Sequence, residues 1–317
     1  MNRLCQTATR LLGARAARWM IILLVPLGPA RLRAGDEQTF NSPAAALSAL
    51  KAAVAQRDTN AIHAIFGAEA RELVSPDVVQ ATEEFETFVQ RVGEQARFTT
   101  NGDTSLTLEI GADAWTFPIP LVTENGHWFF DTAAGKTEIL DRRIGRNELG
   151  AVAVCRSYVD AQREFADLTH TGTEPPAYAQ LIRSSPNAHD GLFWPAKPGE
   201  DPSPFGPLIA AARVEGYHHT ARLLDDKEAP YHGYYFKILT RQGAHAAGGR
   251  RDYLHHGRMT GGFALIAWPA EWGNTGVMTF IVSQEGRVFQ ANLGQRTPKR
   301  AAAITRFDPD SRWTPVP

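Results

Sequence analysis

The segment spanning residues 261–294, GGFALIAWPAEWGNTGVMTFIVSQEGRVFQANLG, constrains the fold more than any other part of the chain. Phe263, Leu265 and Ala267 alternate with residues facing the other way, and Val277, Thr279, Ile281 and Ser283 alternate again. Gln284, Glu285 and Gly286 then supply the turn chemistry that lets residues 287–291 return antiparallel. The first two runs are joined by a Pro/Trp/Gly/Asn corner, residues 268–276. It places Trp268 and Trp272 where polar turn residues ordinarily suffice. Such a pattern builds a sheet rather than a catalytic loop.

A second sheet is marked earlier. Leu106, Leu108 and Ile110 alternate with Ser, Thr and Glu, as do Trp115, Phe117, Ile119 and Leu121 in the next run, and Asn125-Gly126 turns the chain into His127-Trp128-Phe129-Phe130-Asp131. Helices precede it. Ser42 is placed as an N-cap with Pro43 at the first helical position, ahead of Ala46, Leu47, Leu50, Ala53 and Val54 at three-and-four spacing. A second helix covers residues 59–66 and stops at Gly67. A third runs over residues 75–95 on the stripe Val78, Val79, Phe85, Phe88, Val89 and Val92.

Residues 136–144 read as a linker, and Asn147 with Glu148 opens a helix over residues 149–168 whose Ala151, Cys155, Tyr158, Gln162 and Phe165 share one face. The Gly- and Pro-rich stretch after it holds a short helix, residues 177–182, and an aromatic excursion, residues 190–195. Residues 233–240 form a strand and residues 241–260 a loop. Near the C-terminus, Phe307 and Trp313 pin a polar strap. The expectation is an α+β fold in three parts. A leader spans 1–34, a helical and β-meander domain 35–140, and a domain with a long helix on an antiparallel sheet 141–317.

The leader carries Arg3, Arg10, Arg15 and Arg18 without an acid, then an apolar run, residues 19–27, then Gly28, Ala30 and Ala34. That order is a secretory signal peptide with cleavage after Ala30 or Ala34, and its apolar run falls short of the roughly 20 residues a membrane span needs. A periplasmic or secreted location follows, with no retained transmembrane segment. Removing residues 1–34, with six Arg and no acid, takes the formal charge from −1 to −7, which argues against nucleic acid as a partner. Cys155 is then the one remaining cysteine, so no intramolecular disulfide staples the chain. On its helical pattern it reads as a buried, inert thiol.

Catalytic signals are sparse. No P-loop, Rossmann fingerprint, G-x-S-x-G or HExxH is present, and no metal or cofactor is expected. Glu148 at a helix start serves either as a cap or as a general base. The hydrolase alternative pairs Glu148 or Asp131 with His232, His255 or His256. The paired histidines, His218-His219 and His255-His256, read as solvated loop residues. Trp194, Trp268, Trp272, Tyr231 and Tyr234 are candidates for binding a cell-envelope protein or small ligand. Trp194 and Trp272, flanked by Pro and Gly, are the surface candidates. A non-enzymatic binding or assembly role in the cell envelope is the expected function.

Ordered blocks carry a family resemblance. They are Phe40-Asn41-Ser42-Pro43, Phe117-Pro118-Ile119-Pro120 with Gly126-His127-Trp128-Phe129-Phe130-Asp131, Arg146-Asn147-Glu148, Pro230-Tyr231-His232-Gly233-Tyr234, residues 268–286 and Phe307-Asp308-Pro309-Asp310. On these the chain resembles an exported bacterial family of unknown function, catalogued as domain of unknown function 2950. The helix from Asn147 and the strands reaching Phe280 also resemble the soluble part of type IV pilins and pseudopilins. That resemblance implies one long helix lying across an antiparallel sheet. A complete domain separates the apolar leader from this helix, unlike in true pilins.

Overall fold

The computed structural model describes residues 36–170, 175–196, 199–217 and 230–317. The leader and the His218-His219 pair lie outside these. Helix α1 (Pro43–Ala55) starts as its sequence dictates, with Ser42 Oγ accepting the Ala45 N–H at 3.2 Å and Pro43 in the first turn. Asp58 caps α2 (Thr59–Phe66) by accepting from Asn60 and Ala61, both at 3.0 Å, and Gly67 ends it at φ 74°. A 3-10 turn (Ala68–Leu73) leads to Asp77, the N-cap of α3 (Val78–Glu94).

The first sheet is an antiparallel meander in the order β1 (Ala96–Thr100), β2 (Ser105–Ile110), β3 (Trp115–Glu124), β4 (His127–Phe130). Strand β1 is an addition to the sequence expectation. Its Arg97 and four neighbours pair with β2 from Ala96↔Ile110 to Thr100↔Leu106, so its partner rather than its own alternation defines it. Phe40 and Trp128 exchange backbone hydrogen bonds of 2.7 and 2.8 Å, joining two of the family-like blocks at the sheet edge.

Asp131 caps the 38-residue helix α4 (Thr132–Thr169) by accepting the Ala134 N–H at 3.0 Å. The expected linker over residues 136–144 is therefore helix. Gly135 and Gly145, weak helix formers, are tolerated inside it. A Cβ on Gly135 would stand 2.7 Å from the Ile119 backbone, so this glycine is what lets α4 cross β3 closely. The helix continues across a second, fully antiparallel sheet in the order β15-β14-β13-β12-β7. Its strands are β7 (Tyr234–Leu239), β12 (Ala264–Pro269), β13 (Met278–Ser283), β14 (Val288–Asn292) and β15 (Thr314–Pro315). Both long runs of the opening sequence motif are thus strands, with Gly286 at φ 76° in the turn before β14. Phe307 and Trp313 are buried, as a strap requires.

Residues 177–182 are not a helix. Tyr178 bridges to Met259, and β5 (Leu181–Arg183) pairs in parallel with β6 (Gly191–Phe193). The side chain of buried Gln162 both accepts from Ala179 N and donates to Ala179 O at 2.8 Å, occupying the backbone groups a helix would have used. The region expected as a loop carries two small antiparallel pairs, β8 (Arg241–Gln242) with β9 (Arg251–Asp252) and β10 (Leu254–His255) with β11 (Arg258–Met259). Short helices α5 (Gly206–Val214) and α6 (Thr297–Ala303) complete the described chain.

The molecule is mixed α+β, with two hydrophobic cores. One joins α1, α2 and the first sheet around Leu50, Phe66, Leu108 and Phe130, and the other packs α4 from Ala151 onward against the second sheet around Tyr158, Phe263 and Phe280. Among the described residues no helix is long and apolar enough to cross a membrane.

Candidate ligand cavity and the polar junction beside it

Helix α3 carries a strong apolar stripe, yet Val92 is its one fully buried member; Phe85, Phe88 and Val89 are half-buried and Val78 is 76% exposed. A stripe of this kind ordinarily closes onto a core. Here α3 meets the first sheet through Phe88 on Phe117, and a cleft of about 1000 Å³ remains beside that contact. Phe66 of α2, Phe85 and Phe88 of α3, Trp115 and Phe117 of β3, and Ile139 of α4 line it. Phe117 has ring centroids 5.7 Å from Phe66 and 5.3 Å from Phe88, so the wall is an aromatic surface already in mutual contact.

The rim is charged. Arg91 from α3 and Arg142 from α4 place their guanidinium carbons 5.3 and 5.2 Å from the centroid of the same Trp115 ring. Arg91 also pairs with Asp113 at 3.1 Å and Arg142 with Glu138 at 2.7 Å. Arg146 and His232 line the cavity too. A smaller depression of about 300 Å³ adjoins it, sharing Thr87 and Arg91.

Beside the cavity lies a polar junction between the two cores. Asp77 is 1% exposed. It caps α3 through its Oδ1, while its Oδ2 accepts the Tyr217 hydroxyl at 2.8 Å and the Gly233 N–H at 3.0 Å. Gln80 Nε2 donates to Asn147 Oδ1 at 2.6 Å, and Asn147 Nδ2 donates to the Thr275 carbonyl at 2.9 Å. Arg143, 2% exposed, donates to Glu84 Oε2 at 2.8 Å, to Asn274 Oδ1 at 2.6 Å and to the Leu73 carbonyl. Buried polar groups in such number are satisfied because each finds a partner on a different segment. Three family-like blocks, around Asn147, Gly233 and Thr275, meet at this point.

The sequence candidates fall in separate places. Glu148 Oε1 accepts the backbone N–H groups of Val277 and Met278, both at 2.9 Å, and so clamps the start of β13. Asp131 is the cap of α4. His255 is exposed, its Nδ1 3.0 Å from Thr260 Oγ1, and His256 is exposed in the turn that follows. His232 Nε2 lies 3.1 Å from Glu215 Oε2. Among the described residues no hydrogen bond or ion pair joins Glu148 or Asp131 to a histidine, and no cluster of three His, Cys, Asp or Glu is arranged as metal ligands would be.

The aromatic candidates divide by burial. Tyr231, Tyr234 and Trp268 are core residues, and Tyr234 donates its hydroxyl to the Met278 carbonyl at 2.9 Å. Trp194, expected at the surface, is 5% exposed and stacks on His189 with centroids 4.4 Å apart. It follows directly on β6, whose three residues are all buried, and enters the same core. Trp272 remains half-buried, with Nε1 donating to Asn292 Oδ1 at 3.0 Å. The cavity residues Phe85, Phe88 and Phe117 were legible as apolar positions but not as a site. Arg91 and Arg142 carry the one usable signal, a cation beside the apolar face of each helix.

Fold and site together define an α+β protein with two antiparallel sheets joined by one long helix and an apolar cavity against the first sheet. Residues 37–316 match the family model described as Protein of unknown function (DUF2950), and the chain belongs to that family. No curated protein and no solved structure matches the chain.

Proposed function

We propose that the protein is an exported, non-enzymatic binding factor of the cell envelope, and that the cavity between α2, α3, β3 and α4 is where it holds its ligand. The observation that carries this reading is the half-buried α3 stripe over a void of about 1000 Å³. Ligand sites run to roughly 300–1,000 Å³ and are mostly apolar with a few polar groups at the edge. The cleft opens to solvent, and a bound apolar group would take the half-buried α3 stripe out of water. In this reading the part spanning 35–140 binds, and the part spanning 141–317 is a pilin-like scaffold whose helix α4 reaches into the binding wall. The basic-then-apolar leader supports export, and sequencing the protein recovered from its host's envelope should yield an N-terminus at Arg31 or Gly35.

Titration with the neutral apolar dye Nile red tests the site. Ala81 lines the cavity from α3, and Ala81→Trp sets an indole into it. The wild-type protein should bind the dye saturably, and Ala81→Trp should weaken that binding several-fold at a thermal midpoint no lower than the wild type's. Undiminished dye binding by this variant would place the ligand elsewhere.

A further inference from the structure

Resting on the cavity as the binding site, we infer that its ligand is a single-chain anionic amphiphile: an acyl chain ending in a carboxylate or phosphate head. The chain lies among Phe66, Phe85, Phe88 and Phe117, and the head lies between Arg91 and Arg142. The apolar wall accounts for a chain but not for its end. The end is specified by two guanidiniums, from different helices, that converge on one Trp115 ring at 5.3 and 5.2 Å. A cation–π contact at a partly exposed site contributes only about 0.5–1 kcal/mol, and each guanidinium gives one side to a carboxylate, so an anionic head would be held by the donors that each leaves over.

The donors for such an anion are in place. Arg91 commits Nη1 to Asp113, and Arg142 commits Nε to Glu138. Nε and Nη2 of Arg91, and both terminal nitrogens of Arg142, make no hydrogen bond within the described residues. Guanidinium nitrogens in that fork bind carboxylate and phosphate oxygens in bidentate fashion. Asp113 and Glu138 balance the two guanidiniums in formal charge, and Glu83 also lines the cavity. The rim therefore suits one small anionic head held by the fork nitrogens left over, on a long apolar chain, rather than a polyanion. Glu84 adds no free charge there, being paired with both Arg143 and Arg146.

Displacement of Nile red by laurate, lauryl phosphate, lauryl alcohol and lauryl trimethylammonium, each below its micellar concentration, tests the head separately from the cavity. The anionic amphiphiles should bind at least about tenfold more tightly than the alcohol, a difference of about 1.4 kcal/mol, and added salt should erode that preference. Preference for laurate alone marks a fatty acid, and for lauryl phosphate alone a phospholipid-derived head; either supports the inference. The double variant Arg91→Gln/Arg142→Gln should lose the preference while binding the alcohol as the wild type does, which also shows that it is folded. Equal affinity for anion and alcohol, or tighter binding of the ammonium, overturns the anionic head and leaves the cavity standing. Absence of any dye or amphiphile binding overturns both.

Discussion

The Tyr217 hydroxyl donates to Asp77 Oδ2 at 2.8 Å, joining residues 140 positions apart across the seam between the two cores. The same carboxylate caps α3 and accepts from Gly233, so one side chain organises a helix start and two distant segments. Burial, with Asp77 beside it, pushes the Tyr217 phenol well above its ordinary ionisation range. Asp77→Ala removes a cap, about 1 kcal/mol, and leaves two buried donors unpaired at about 1–3 kcal/mol each. A loss of about 3–7 kcal/mol is expected in urea unfolding, and Asp77→Asn should cost less because it keeps one accepting oxygen. An Asp77→Ala protein as stable as wild type would dismiss the seam as an energetic feature.

Gly233 is the backbone counterpart of Asp77. Its φ is +72°, and a Cβ there would sit 2.6 Å from Asn147 Nδ2 and 2.8 Å from Thr275 Cβ. Gly233→Ala therefore carries left-handed backbone strain and a clash with buried side chains. The expected cost is about 2–3 kcal/mol, read as a lowered thermal midpoint.

Arg143 fastens the middle of α4 to the 3-10 turn, to α3 and to the corner before β13. Arg143→Ala should cost about 1.5–3 kcal/mol, since it removes charge-assisted bonds from a buried position while Glu84 keeps its pair with Arg146. Arg143→Lys should recover only part of this, because a single ammonium cannot reproduce a planar fork. Equal stability of the Lys variant and wild type would show that charge alone matters here.

Local signals in the sequence carried most of the secondary structure and little of the site. Ser42-Pro43, Asp58 with Gly67, and the Asn125-Gly126 turn each act within a few residues, and each appears where its chemistry requires. Residues 136–144 misled because Gly135 and Gly145 weaken a helix locally, while close packing on Ile119 and the Arg143 fork secure it from outside. The short helix over residues 177–182 failed for a similar reason, since Gln162 lies far away in sequence. The cavity was invisible because periodicity reports which face of α3 is apolar, not how closely that face approaches β3.

Trp272 is the one candidate aromatic that keeps substantial exposure, and its indole N–H is held by Asn292. A fully buried Trp costs about 3–5 kcal/mol when cut to Ala, so a half-buried one should cost about 2 kcal/mol. The midpoint should fall by about 4–8 °C in a chain of this size. Trp272→Phe, which keeps the ring and loses the bond to Asn292, should sit between wild type and Ala. No change of midpoint in Trp272→Ala would free this ring from a structural role and favour a partner surface.

Alkaline pH should unfold the protein through groups that the core keeps protonated. Burial pushes the Cys155 thiol from 9.0 up to about 12 and holds the Tyr158 and Tyr234 phenols well above their ordinary value of 10.0. Tyr231 and Tyr253 rise to about 12, again through burial. All are raised, so each contributes its stability in full below its unfolded ionisation range and loses it as pH climbs toward the folded one. Stability should be level in this respect up to about pH 9, then decline, with Cys155 alone accounting for about 2 kcal/mol by pH 10.5. Urea midpoints measured from pH 7 to 10.5 check the decline, and Cys155→Val should flatten its first part. In the native protein at pH 8, Cys155 should escape iodoacetamide, read by mass spectrometry of its peptide, and react fully once unfolded. Alkylation of native Cys155 at the unfolded rate would mean that the thiol is not enclosed between α4 and the second sheet.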